Sequence, residues 1–140
     1  MTTVKYKLLS SNAKVPKLMH YGDACFDLYS AEETHILPGE TKTIFTDLAI
    51  EMTPDYEAVI RGRSGITKHG ILVQIGTIDS NYRGNIGITL YNSTDEYWNI
   101  SKGDRIAQMA IREVPTIVLE EVEKLSDSDR GDKGYGSTGK

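Results

Sequence analysis

Turn-forming residues interrupt this chain every few positions, and no apolar pattern between them runs long enough for a helix of ordinary length. The clearest interruptions are Pro38-Gly39, Thr53-Pro54-Asp55, Asn92-Ser93-Thr94-Asp95 and Lys102-Gly103-Asp104. Between them the residues alternate. In Asn85-Ile86-Gly87-Ile88-Thr89-Leu90-Tyr91 the side chains of Ile86, Ile88 and Leu90 fall on one face, as in a half-buried strand. Thr41–Phe45, Tyr56–Arg61 and Ile117-Val118-Leu119 are rich in β-branched and aromatic types and read the same way. Many short strands with regular turns predict an all-β sandwich or barrel. One helical turn is expected, at Ser64-Gly65-Ile66-Thr67-Lys68, and no internal repeat is visible.

The bulk chemistry narrows the function classes. A chain of 140 residues that is 39% hydrophobic and 26% charged can bury one core. Its net charge of −4 argues against binding a nucleic-acid backbone, yet leaves room for a local basic pocket facing a small phosphorylated ligand. Cys25 is the single cysteine, so it is expected to be a small buried residue without a disulfide partner. His20, His35 and His69 are scattered without metal-ligand spacing, which argues against zinc. Lys5, Lys7 and Ser10-Ser11 interrupt every apolar run near Met1, and no stretch has the length of a membrane span. The expected location is the cytoplasm, with no membrane partner.

The chain divides into residues 1–125, expected to form the β domain, and a tail, 126–140, that is rich in glycine and charge. Such a tail cannot bury enough surface to order itself alone. Either it is a frayed end, or it is a flap that closes over a ligand with Tyr135 as its apolar anchor. Gly136-Ser137-Thr138-Gly139-Lys140 has the look of a phosphate-binding loop but lacks the spacing and the following helix.

Five segments carry groups suited to chemistry. Gly22-Asp23-Ala24-Cys25-Phe26-Asp27-Leu28 puts Asp27 in a strand-like run, where a carboxylate must be paired or face a metal's water shell. Gly62-Arg63-Ser64-Gly65 follows a strand and opens the helical turn; it is a phosphate cradle or simply a turn capped by serine. Gly76-Thr77-Ile78-Asp79-Ser80-Asn81-Tyr82-Arg83-Gly84 sets Asp79 between the strand-like, buried-looking Ile71-Leu72-Val73 and a turn. Asp79 is either a general base for water or a turn-capping carboxylate. Gly103-Asp104-Arg105-Ile106-Ala107-Gln108 leads into a strand with Ile106, Gln108 and Ala110 on one side, so that Gln108 needs a polar partner. The run Arg130 to Gly139 adds an arginine, two hydroxyls and an aromatic ring.

In this order and at these spacings, the five segments resemble the five motifs of the trimeric dUTP pyrophosphatases, the dUTPases, over most of the chain from Gly22 to Gly139. The resemblance implies a distorted jelly-roll of the β-clip type with one short helical turn, and a homotrimer whose tails reach into neighbouring sites. It implies hydrolysis of dUTP to dUMP and pyrophosphate by water attack on the α-phosphorus. That reaction limits uracil incorporation into DNA and provides dUMP for thymidylate synthesis. By the same resemblance, Asp79 activates the water, and Tyr82 lies against the deoxyribose and rejects a 2′-hydroxyl. The backbone from Gly76 through Ile78 to Gly84 reads uracil. Arg63, Ser64, Gly65 and Gln108 hold the phosphate chain, while Asp27 acts on Mg²⁺ through water. Arg130, Gly136, Ser137 and Thr138 belong to the closing tail, which binds the γ-phosphate while Tyr135 stacks on uracil.

The chain departs from the family pattern at Asn81, commonly aspartate, at Tyr135, usually phenylalanine, and at Asp132-Lys133, usually smaller residues. None of these removes a required group. A dCTP deaminase of the same fold is disfavoured, because that family uses a glutamate base and a longer chain. If the chain is phage-encoded, working in a host cytoplasm, a regulatory protein partner is possible in addition to catalysis and not in place of it.

Overall fold

A computed structural model describes residues 1–136. It contains eleven strands and one helical turn: β1 (Lys5–Leu8), β2 (Phe26–Tyr29), β3 (Thr34–Ile36), β4 (Thr41–Phe45), β5 (Leu48–Glu51), β6 (Tyr56–Arg61), α1 (Ser64–Thr67), β7 (Ile71–Val73), β8 (Gly76–Ile78), β9 (Gly87–Asn92), β10 (Trp98–Ile100) and β11 (Arg105–Glu113). All strand pairs are antiparallel. A four-stranded sheet runs β2-β11-β6-β8 and a three-stranded sheet runs β4-β9-β7, with β1-β5 and β10-β3 as two-stranded ribbons. The all-β architecture expected from the alternation forms, and its arrangement is jelly-roll-like, as the family resemblance implies.

The core follows from that alternation. Ile86, Ile88 and Leu90 are buried as the period-two pattern requires, and Ile44 lies opposite Ile88 across the β4–β9 ladder. They join Leu28, Ile36, Leu48, Ile60, Ile71, Ile100 and Met109 in one cluster to which every strand from β2 to β11 contributes. At the β9 end the fully buried Asn92 satisfies both ends of its amide: Nδ2 donates to Ile36 O and Glu96 O, and Oδ1 accepts from the backbone N–H and hydroxyl of Thr94. At the opposite margin β1 is held to β5 by its ladder and by Lys5, whose ammonium donates to Glu51 and holds that carboxyl below its ordinary value.

Three sequence expectations are corrected. Ile117-Val118-Leu119 forms no strand; the last strand ends at Glu113, and these three side chains are largely exposed. β-Branched composition favours a strand only where a neighbouring edge completes the ladder, and no strand pairs with this segment among the described residues. Only Ile71 of the Ile71-Leu72-Val73 strand is fully buried, because Leu72 lies on the outer face of β7. The turn at α1 is not capped by serine: its N-cap is Arg63, in extended conformation, with no side-chain cap bond. Gly70, at φ +82°, turns the chain out of α1, and its carbonyl accepts from the backbone and hydroxyl of Ser93.

Candidate active site

Asp27 sits in β2, at one edge of the four-stranded sheet, directly across from Gln108 of β11, which in turn faces Arg61 of β6. The Asp27 side chain is buried, and two guanidinium groups share its charge. Arg63 Nε donates to Oδ1 at 2.9 Å, and Arg105 Nη1 donates to Oδ2 at 3.3 Å. A buried carboxylate must be paired in this way, and each oxygen keeps a lone pair for a further donor. Gln108 Nε2 donates to Gly62 O at 2.7 Å, tying β11 to the segment that launches α1. The partner that Gln108 needed is therefore backbone.

These groups line one cleft together with Ser64, Gly65 and a wall formed by Met19, His20, Asp23, Ala24 and Cys25. Ser64 and Gly65 are the first residues of α1, so their amide N–H groups have no helical acceptor and remain available. The cleft thus offers the Arg63 guanidinium, a hydroxyl, two amides and an amide side chain, a set suited to phosphate oxygens, beside the carboxylates of Asp23 and Asp27, the latter also paired with Arg105. Among the described residues no three His, Cys, Asp or Glu side chains gather into a metal cage. Asp27 alone suits a Mg²⁺ that keeps its waters and is carried by phosphates.

Asp79 lies elsewhere. It follows β8, the other edge of the same sheet, and its carbonyl closes a turn by accepting from Tyr82 N. The carboxylate itself is exposed and makes no hydrogen bond among the described residues, so it does not cap the turn. β8 and β9 belong to different sheets, so the chain reversal between them, here called the hairpin, carries no ladder of its own among the described residues. Tyr82 folds back over it: its hydroxyl donates to Asn85 O at 3.0 Å, and its ring covers Gly84 so closely that a Cβ there would lie 2.9 Å from Cε2. Asn85 Nδ2 donates to Asp47, which also accepts from Ser10, so the base of the hairpin is braced by the turn before β5 and by the segment that follows β1. Ile78 is anchored in the core opposite Ala58, while β8 as an edge strand leaves alternate backbone N–H and C=O groups unpaired beside Gly76 and Ile78. Such an edge can read the donor and acceptor pattern of a planar base.

Cleft and hairpin are far apart within one chain. Asp27 and Asp79 are separated by three strand spacings, and their registers differ by four residues along β6, Arg61 against Glu57. At ~4.8 Å per strand and ~3.4 Å per residue this amounts to about 20 Å. The tail stands apart as well. Tyr135 is fully exposed, and Arg130 Nε donates to Lys133 O in a local turn. Ser137 and Thr138 lie outside the described residues. Sequence reading assigned no role to Arg105, although it sits in the Gly103–Gln108 segment, because strict alternation puts it on the opposite face from Gln108. The β2–β11 register shifts between Arg105 and Ala107, and that bulge turns Arg105 toward Asp27.

Comparison with known proteins bears on the same residues. The family model for dUTPase matches residues 11–139. The deoxyuridine 5′-triphosphate nucleotidohydrolase of Clostridium tetani is 46% identical, with 99% of this chain and 97% of the relative covered. That of Nautilia profundicola is 48% identical over 98% of this chain and 99% of its own. Among solved structures, the Staphylococcus bacteriophage 80alpha dUTPase with dUPNHPP superposes with a TM-score of 0.92 at 33% identity, covering 99% of both chains. A mutant dUTPase of S. aureus phage phi11, described with a coordinated structural Mg(II) ion, gives 0.85 at 28% identity over 89% of this chain and 99% of that one. A match over nearly the whole length, spanning the cleft, the hairpin and the tail alike, makes this chain a member of the dUTPase family.

Proposed function

We propose that the protein hydrolyses dUTP to dUMP and pyrophosphate in the cytoplasm, at sites assembled between the subunits of a homotrimer. The observation that carries the reading is the cleft in which a buried carboxylate, two guanidinium groups, Ser64, Gly65 and Gln108 converge. It is a receptor for a polyphosphate that brings a hydrated divalent cation. Arg63, Ser64, Gly65 and Gln108 hold the phosphate chain, and Asp27, through its remaining lone pairs, would hold by way of waters a Mg²⁺ carried by the triphosphate, which would supply charge neutralisation there.

Asp79 orients the attacking water and takes its proton. The water oxygen bonds to the α-phosphorus, the bond from that phosphorus to the bridging oxygen breaks, and pyrophosphate leaves. Such chemistry asks mainly for alignment and charge neutralisation. With ~20 Å between Asp79 and Asp27 of one chain, a water poised by the first cannot attack a phosphorus held at the second. The hairpin of one subunit facing the cleft of the next removes that difficulty, and the tail of Arg130, Tyr135, Gly136, Ser137 and Thr138 closes the assembled site. The edge backbone of Gly76 and Ile78 reads uracil, and Tyr82 excludes a 2′-hydroxyl.

Pyrophosphate release from dUTP, UTP, dTTP and dCTP, with and without Mg²⁺, tests the reading. Turnover of dUTP alone, dependent on Mg²⁺, is expected. Ammonia released from dCTP at the rate of dUTP turnover would replace it with a deaminase.

A further inference from the structure

We infer that Arg105 is a positioning residue, which keeps the Asp27 carboxylate paired and facing the cleft when a triphosphate draws on Arg63. The inference rests on the reading of the cleft given above. Arg63 and Arg105 approach the two oxygens of one carboxylate, and they are not equivalent. Arg63 binds Asp27 through Nε and reaches Arg105 O through Nη1 at 3.3 Å, standing beside Ser64 and Gly65 where phosphates are to be held. An incoming polyanion competes with Asp27 for that guanidinium. It also brings negative charge toward a carboxylate whose side chain is 9% exposed. Without a second cation, Asp27 would then be a buried charge facing others of its own sign.

The fold provides that cation by a specific device. In an uninterrupted strand, residues three apart point to opposite faces, so Arg105 and Gln108 would be separated by the sheet. The bulge in β11 lets Arg105 pair with Tyr29 while Gln108 pairs with Asp27. Tyr29 and Asp27, two apart on β2, share a face, and Arg105 is thereby brought to the face of Asp27 and Gln108. Ile106, the extra residue, is taken up by the core. Arg105 does not depend on α1 for its place, so its hold on Asp27 survives a movement of Arg63.

The test is calorimetric titration of the full-length protein with dUPNHPP, once with Mg²⁺ and once with EDTA. In Arg105→Gln the gain in affinity produced by Mg²⁺ is expected to shrink by about tenfold or more, the usual effect of losing a residue that orients a metal's partner. The affinity in EDTA should change little, and Arg105→Lys should retain part of the gain. Equal weakening in both titrations would make Arg105 a direct phosphate ligand or a purely structural residue, and no change in either would leave it without a role; both results overturn the inference. Asp27→Asn separates the two levels of argument: if it keeps the full Mg²⁺ gain, the reading of the cleft fails, whatever Arg105 does. Should Arg105→Gln not fold, Arg105→Lys carries the same test, with a reduced Mg²⁺ gain at constant EDTA affinity as the supporting result and an equal loss or no loss as the refuting one.

Discussion

Gly84→Ala isolates the contact by which the hairpin is proposed to read the sugar. The backbone of Gly84 is outside the left-handed region, so alanine brings no conformational strain. The added Cβ instead falls on the Tyr82 ring and hydroxyl. These are the far end of a side chain that is 46% exposed, and the ring can yield by swinging outward. The structural cost is then chiefly the hydrogen bond from Tyr82 to Asn85 O, about 1 kcal/mol, or about 3 °C in Tm. The functional cost is larger. With the ring displaced, the surface that leaves no room for a 2′-hydroxyl is gone, and steric exclusion is the kind of discrimination that collapses once its wall moves. The ratio of kcat/KM for dUTP to that for UTP is expected to fall by about tenfold or more, equivalent to ~1.4 kcal/mol. Pyrophosphate release with each nucleotide measures the ratio, and calorimetry measures Tm. Tyr82→Phe is the control: it loses the same hydrogen bond but keeps the ring, so it should show the Tm shift with its selectivity intact. An unchanged ratio in Gly84→Ala, or a collapse of selectivity in Tyr82→Phe, would refute the assignment of Tyr82 to the sugar.

Asp79→Asn should keep dUPNHPP affinity and lose about a hundredfold or more in kcat, since a positioned base contributes at least that much; a loss under about tenfold, ~1.4 kcal/mol, would show that Asp79 is not the base. Truncation before Arg130 should lower turnover steeply and leave the oligomer intact on gel filtration, whereas a monomeric product would give the tail a structural role. Ile88→Ala, at a site in β9 with no exposed surface, should cost about 2–5 kcal/mol by denaturant titration; a loss under about 1 kcal/mol would mean that the core closes around the deletion.

What the sequence disclosed and what it withheld divide along a physical line. Strands β4 and β6 occupy the segments marked by their composition, and Ile86, Ile88 and Leu90 are buried as their spacing requires, because alternation is written locally. Ile117-Val118-Leu119 has the same composition and no ladder, because pairing depends on an edge elsewhere in the fold. Arg105 was hidden for a related reason. A bulge is a property of two strands in register, and counting along β11 alone puts the arginine on the wrong face. The partner of Gln108 is the carbonyl of Gly62, which no periodicity announces. Family motifs bridged part of this gap, since they mark Asp27, Arg63 and Asp79 without saying which of them meet.

Whether they meet within one chain can be decided by mixing inactive proteins. Asp79→Asn lacks the base but keeps an intact cleft, and Arg63→Gln has the converse defect. Alone, each should be nearly inactive. If base and cleft come from neighbouring subunits of a ring of three, every mixed trimer contains one junction where an intact hairpin meets an intact cleft. Co-refolding equal amounts distributes subunits at random, so three in four trimers are mixed and each regains one site in three, which restores about a quarter of wild-type activity. If instead each chain formed its own site, no arrangement of the two variants could place both groups together, and activity would remain at the level of the parents. The outcome depends on geometry and not on how severe either substitution is. Restoration would require the ~20 Å between Asp27 and Asp79 to be closed by another chain, and its absence would mean that a rearrangement of the sheet edge closes it within one.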